Sequence, residues 1–149
     1  MLYYVLAALA GATITTQVGM NTKLLSYLGS PILTAFFSFL VGTLGLGSIY
    51  LVAAYYGWQS IPALSVFSGP SLWMWLGGLL GGFYIFTTVF VTPKIGFANM
   101  FSLVVAGQII LAVIFDHFGF ITGTLHSVTQ LRLLGIAFLI IGVYLIQTN

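Results

Sequence analysis

Side chains able to do chemistry are few in this chain of 149 residues: the charged ones are Lys23, Lys94, Asp116 and Arg132, joined by His117 and His126. A single acidic residue excludes paired-carboxylate catalysis within one chain, cysteine is absent, and no serine sits in a nucleophile-elbow sequence. Enzyme is the weakest class. The two histidines and Asp116 match no helical ligand spacing, so neither a metal nor another cofactor is expected. What remains is neutral hydrogen-bonding chemistry. Thr13, Gln17 and Asn21 are spaced by four and share one helical face. An amide in hydrocarbon must find partners, so this face either bridges to another helix or lines a wet cavity.

Gln108, in the run SLVVAGQIILAVIF, is the most deeply placed strongly polar residue, and Gly107 beside it lets a substrate or a backbone come close. It reads as a substrate contact near the membrane midplane, with a helix-to-helix hydrogen bond as the alternative. Ser38 shares helical spacing with Gly42 and Gly45, a pattern of packing more than of catalysis, and Tyr84, Thr87 and Thr88 can face a cavity from a third helix. Ahead of them, GGLLGGFY pairs Gly77 with Gly81 and Gly78 with Gly82, the small-xxx-small spacing of close helix packing. Asp116 and His117 precede Arg132 across a loop on the same side. A local salt bridge is the leading interpretation and proton coupling through His117 the alternative.

The elements that position these groups follow from composition. The chain is 60% hydrophobic and 3% charged, with a mean hydropathy of +1.18, whereas a soluble domain is about a quarter charged. Such a surface faces lipid. A spanning helix takes roughly 20 apolar residues, and Gly, Pro, Asn and Ser punctuation leaves five of them, near Leu2 to Met20, Pro31 to Tyr56, Leu72 to Val91, Phe97 to Phe115 and Leu131 to Ile146. The predicted fold is an all-α integral membrane protein with one membrane domain over residues 1–149. Continuous apolar runs rule against barrel strands, which alternate.

The longer connections, Tyr56 to Ser71 and Asp116 to Gln130, lie on the side of the N-terminus. Trp58, Trp73 and Trp75 flank the first, with Tyr3, Tyr4, Tyr55 and Tyr56 at the same level, as interface anchors should. Lys23 and Lys94 fall on one side and Arg132 on the other, a bias of one charge that orients a protein weakly. Insertion in both orientations is therefore expected, with two opposed copies pairing as an antiparallel homodimer. The alternative is one orientation set by the N-terminus, a partner or lipid. The partners are then lipid, a second copy and a small-molecule substrate. Scattered charge speaks against nucleic acid.

The order TTQVGMNTKLL, SPILTAFFSFLVGTLGL, the long run from GGLLGGFY through a turn at Pro93 in TPKIGFANM and on through VAGQ to DHFG, and LRLLGIAFLIIGVYLI resembles the YdcZ-type family of the drug/metabolite transporter superfamily over essentially the whole chain. The resemblance implies a five-helix subunit that forms antiparallel pairs and moves small molecules across the cell's inner membrane. Gln17, Asn21, Ser38, Gln108, Asp116 and His117 stand where the family carries the same residue types. Small multidrug exporters of the superfamily place a carboxylate in the first helix. This first helix has none, so a neutral substrate fits better than an organic cation. The expected function is a dual-topology transporter whose substrate meets Thr13, Gln17, Asn21, Ser38, Tyr84 and Gln108. A pore and a membrane scaffold are its rivals.

Overall fold

The computed structural model describes residues 1–119 and 125–148. Five helices follow in order: α1 Leu2–Leu28, α2 Pro31–Tyr55, α3 Gly77–Ile95, α4 Phe97–Phe118 and α5 Gln130–Thr148, with single 3₁₀ turns at Leu64–Ser68 and Leu72–Leu76 ahead of α3. Counting the second turn with α3, all five are long and apolar enough to cross a membrane. At most 17% of each span's most apolar stretch is buried inside the chain, so most helical surface is left for lipid or partners.

α1 runs past Met20 to Leu28, because Asn21, Thr22 and Lys23 are polar without being helix breakers. The stop is Gly29, whose φ of 67° only glycine adopts freely. Its N–H reaches Leu25 O at 2.8 Å. Ser30 then caps α2 by accepting from the Leu33 N–H at 3.3 Å, with Pro31 at the first helical position. This two-residue turn folds α2 back on α1.

The chain divides into two compact units, residues 1–90 and 91–149. In the first, α1 packs on α2, and the core is Ala35, Ile85 and Val89 with Leu25, Tyr84 and Phe86 against it. Small residues on α2 let α3 approach at that level. α3 meets α2 again at Gly81, where an added Cβ would lie 3.0 Å from the Phe39 ring.

In the second unit α4 packs on α5. The turn expected at Pro93 lies later, since Pro93 sits inside the last turn of α3. A proline there forfeits one backbone bond and the helix survives it. The break comes at Gly96, with φ 82° and its N–H on Thr92 O at 2.8 Å. α4 ends at Gly119, φ 62°. Thr129 begins α5 by accepting from the Arg132 N–H at 3.3 Å.

Candidate functional site

The four-residue spacing on α1 places Thr13, Gln17 and Asn21 along a groove between α1 and α2, with a volume of about 510 Å³. Ser38 of α2 stands at its centre. Asn21 donates from Nδ2 to Ser38 Oγ at 3.1 Å and Gln17 donates from Nε2 to the same oxygen at 3.4 Å. Asn21 is buried, Ser38 half-buried and Gln17 exposed. Thr13 lines the groove too, its hydroxyl donating to Ala10 O at 2.8 Å. Four of the six residues expected at a substrate site therefore come together.

Gln17, Ser38 and Gly42 also border a second hollow of about 310 Å³ that reaches Thr43. Among the described residues Gly42 makes no close packing contact. Nothing lies within 4 Å of where its Cβ would be, and the missing side chain is what opens both hollows. Thr16 was not singled out by sequence, yet it lines the groove beside Gln17. The available signal was its place one turn beyond Thr13.

The other two expected contacts lie elsewhere. Tyr84 packs against the core of the first unit, and its buried hydroxyl has no hydrogen-bond partner among the described residues. Gln108 lies in the second unit, exposed on the surface of α4. No hydrogen-bond partner for its amide occurs among the described residues.

The α3 glycines divide their roles. Gly81 meets Phe39, whereas Gly77, Gly78 and Gly82 have open space at the Cβ position. Gly78 and Gly82 floor an apolar groove of about 510 Å³ walled by Phe36, Phe39, Phe83 and Phe86. Among the described residues, Gly81 is the one of the four whose Cβ position meets another side chain.

Asp116 and Arg132 form an ion pair at 3.4 Å, each about two-fifths exposed. The same corner is tied by the His126 N–H on Asp116 O at 2.8 Å and by the Val128 N–H on His117 Nδ1 at 3.4 Å. The ion pair joins α4 to α5, and the two backbone N–H bonds tie the end of α4 to the segment that precedes α5. Among the described residues no His, Cys, Asp and Glu cluster could hold a metal.

Five apolar spans, with a groove between the first two that no charged side chain lines, define a multi-pass membrane protein. The chain belongs to the YdcZ family of drug/metabolite transporters: the family model described as "Putative inner membrane exporter, YdcZ" matches residues 2–145. It is a multi-pass protein of the inner membrane. No curated protein and no solved structure matches it.

Proposed function

We propose that the protein exports a small neutral metabolite, binding it in the α1–α2 groove. One observation carries this reading: two amides and a hydroxyl converge in a groove of about 510 Å³ that no charged side chain lines. That volume lies within the roughly 300–1,000 Å³ of small-molecule sites. Gln17 and Ser38 hydrogen-bond the substrate, Asn21 holds Ser38 in place, and Thr13 extends the polar wall.

The working unit in this proposal is an antiparallel homodimer. The near-tie of positive charge supports it, and so do the exposed amides of Gln17 and Gln108, which need cover from hydrocarbon. A second copy supplies that cover and the inverted half that alternating access uses. Gln108 then joins the site from the partner-facing surface.

Purified protein in liposomes tests the transport. Flux of a neutral solute should appear with the wild type and fall at least about tenfold in Gln17→Leu, while the protein keeps its thermal stability. Equal flux in the variant removes Gln17 from the route. The dimer is tested by introducing single cysteines at positions 2 and 149. Each should label partly from outside intact cells and fully after permeabilisation, whereas all-or-none labelling rejects dual topology.

A further inference from the structure

The hydrogen-bond inventory of the α1–α2 groove narrows the chemistry of what it binds, an inference that rests on the transport reading above. The Thr13 hydroxyl donates to Ala10 O at 2.8 Å and the Thr16 hydroxyl to Ala12 O at 2.9 Å. Both protons are spent on the helix's own carbonyls, as is usual for threonine in apolar helices. Each threonine oxygen therefore offers lone pairs and no donor.

At Ser38 the balance is reversed. Its oxygen accepts from Gln17 and Asn21, which leaves its own O–H to donate. Each amide keeps one further N–H and a carbonyl oxygen with two lone pairs. The wall thus presents four acceptor oxygens, on Thr13, Thr16, Gln17 and Asn21, interleaved with donors on Ser38, Gln17 and Asn21. Eight residues separate Thr13 from Asn21, so the ladder is about 12 Å long at 1.5 Å per residue.

Ligand classes can be weighed against that wall. A cation would shed its hydration with no carboxylate to replace it, and an anion would meet no positive charge. A purely apolar solute would satisfy Met20, Leu24, Phe37 and Val41, which also line the groove, but would strip water from the remaining N–H and carbonyl groups of Gln17 and Asn21 with nothing to replace it. A solute with several hydroxyls fits, because each hydroxyl both gives and takes.

We propose that the α1–α2 groove recognises an uncharged polyol, a linear sugar alcohol or a small neutral sugar, through the Thr13–Thr16–Gln17–Asn21 ladder and Ser38. Affinity then rises with the number of hydroxyls, since a longer chain engages more rungs.

The experiment measures counterflow of labelled mannitol in proteoliposomes, with glycerol, erythritol, glutamate and tetraphenylphosphonium as competitors. Mannitol should move, erythritol should compete more weakly, and glycerol weaker still by about tenfold or more. Glutamate and the organic cation should not compete. Thr13→Val with Thr16→Val should weaken mannitol binding by about tenfold, and its circular dichroism and melting should match the wild type, since valine keeps the shape and the helix carbonyls keep their helical donors. If mannitol neither moves nor competes while the cation or glutamate is carried, the polyol class is wrong and transport stands. If the folded protein carries none of the panel, the transport reading falls with it. Unchanged mannitol flux in the double valine variant also overturns the ladder.

Discussion

Two glycines, Gly42 and Gly81, sit on helices of the same unit and should respond differently to the same substitution. At Gly42 an added methyl meets nothing within 4 Å. Alanine there replaces the poorest non-proline helix former with the best, a gain of up to about 1 kcal/mol. At Gly81 the new Cβ lies 3.0 Å from Phe39 Cζ, so the ring must shift. Even a turn of Phe39 about 30° from its rotamer costs about 0.5–1.5 kcal/mol, which offsets part or all of the propensity gain. Gly42→Ala should therefore melt at or above the wild-type temperature and Gly81→Ala below Gly42→Ala. Function should invert that order. Gly42 borders both hollows, so Gly42→Leu pushes a branched side chain into the proposed route and should cut flux at least about tenfold in a protein that still folds. Melting by tryptophan fluorescence in detergent, run beside liposome flux on the same preparations, reads both effects. A marked fall in the melting temperature of Gly42→Ala would show that the space is filled in the working molecule. Full flux in Gly42→Leu would place the route elsewhere.

Further outcomes follow from the hydrogen bonds and the surface. Ser38→Ala removes the acceptor of two amides and leaves the buried Asn21 unpaired, so it should destabilise by about 1–3 kcal/mol, while Ser38→Thr should recover most of that loss in the same melt. The Asp116–Arg132 pair is about two-fifths exposed on each side, and such pairs contribute about 0–1 kcal/mol. A double-mutant cycle with Asp116→Asn and Arg132→Gln should return a coupling in that range, and a larger value would mark the pair as buried in the assembled protein. Trp58, Trp73 and Trp75 are all more than half exposed on a connection without charge. The irregular backbone of this connection belongs near headgroups and the rings near acyl chains. Lipids brominated close to the headgroup should quench them more than lipids brominated at the chain end, and quenching chiefly by aqueous acrylamide would contradict this.

The number and placing of the helices were legible because an apolar run of about 20 residues carries its meaning in composition alone. Their ends were less so. Polarity at Asn21 suggested an end to α1 that only Gly29 supplies, and Pro93 suggested a turn that belongs to Gly96. In both places the backbone stop is a glycine with positive φ, a property of conformation and not of hydropathy. The polar face of α1 was readable because positions 13, 17 and 21 repeat at the helical period. That Ser38 is the shared acceptor depended on the Gly29–Ser30 turn, which sets the register of α2 against α1. Small residues proved ambiguous in the same way. Gly42 and Gly81 look alike in sequence, yet one opens a hollow and the other seats a ring, because only the facing side chain decides.

The most direct test of the groove as a wet transport route uses the absence of cysteine from the chain. Gln17→Cys places the sole thiol at the groove, in membranes where it can be probed with a charged, membrane-impermeant maleimide. Thiols react as thiolates, which form in water and not in hydrocarbon. A groove that carries solute should label at position 17, and more slowly when the transported solute is present. A thiol at position 17 that stays unlabelled, while one introduced at position 58 reacts fully, would mean that this face of α1 is sealed and that its amides serve only to hold helices together.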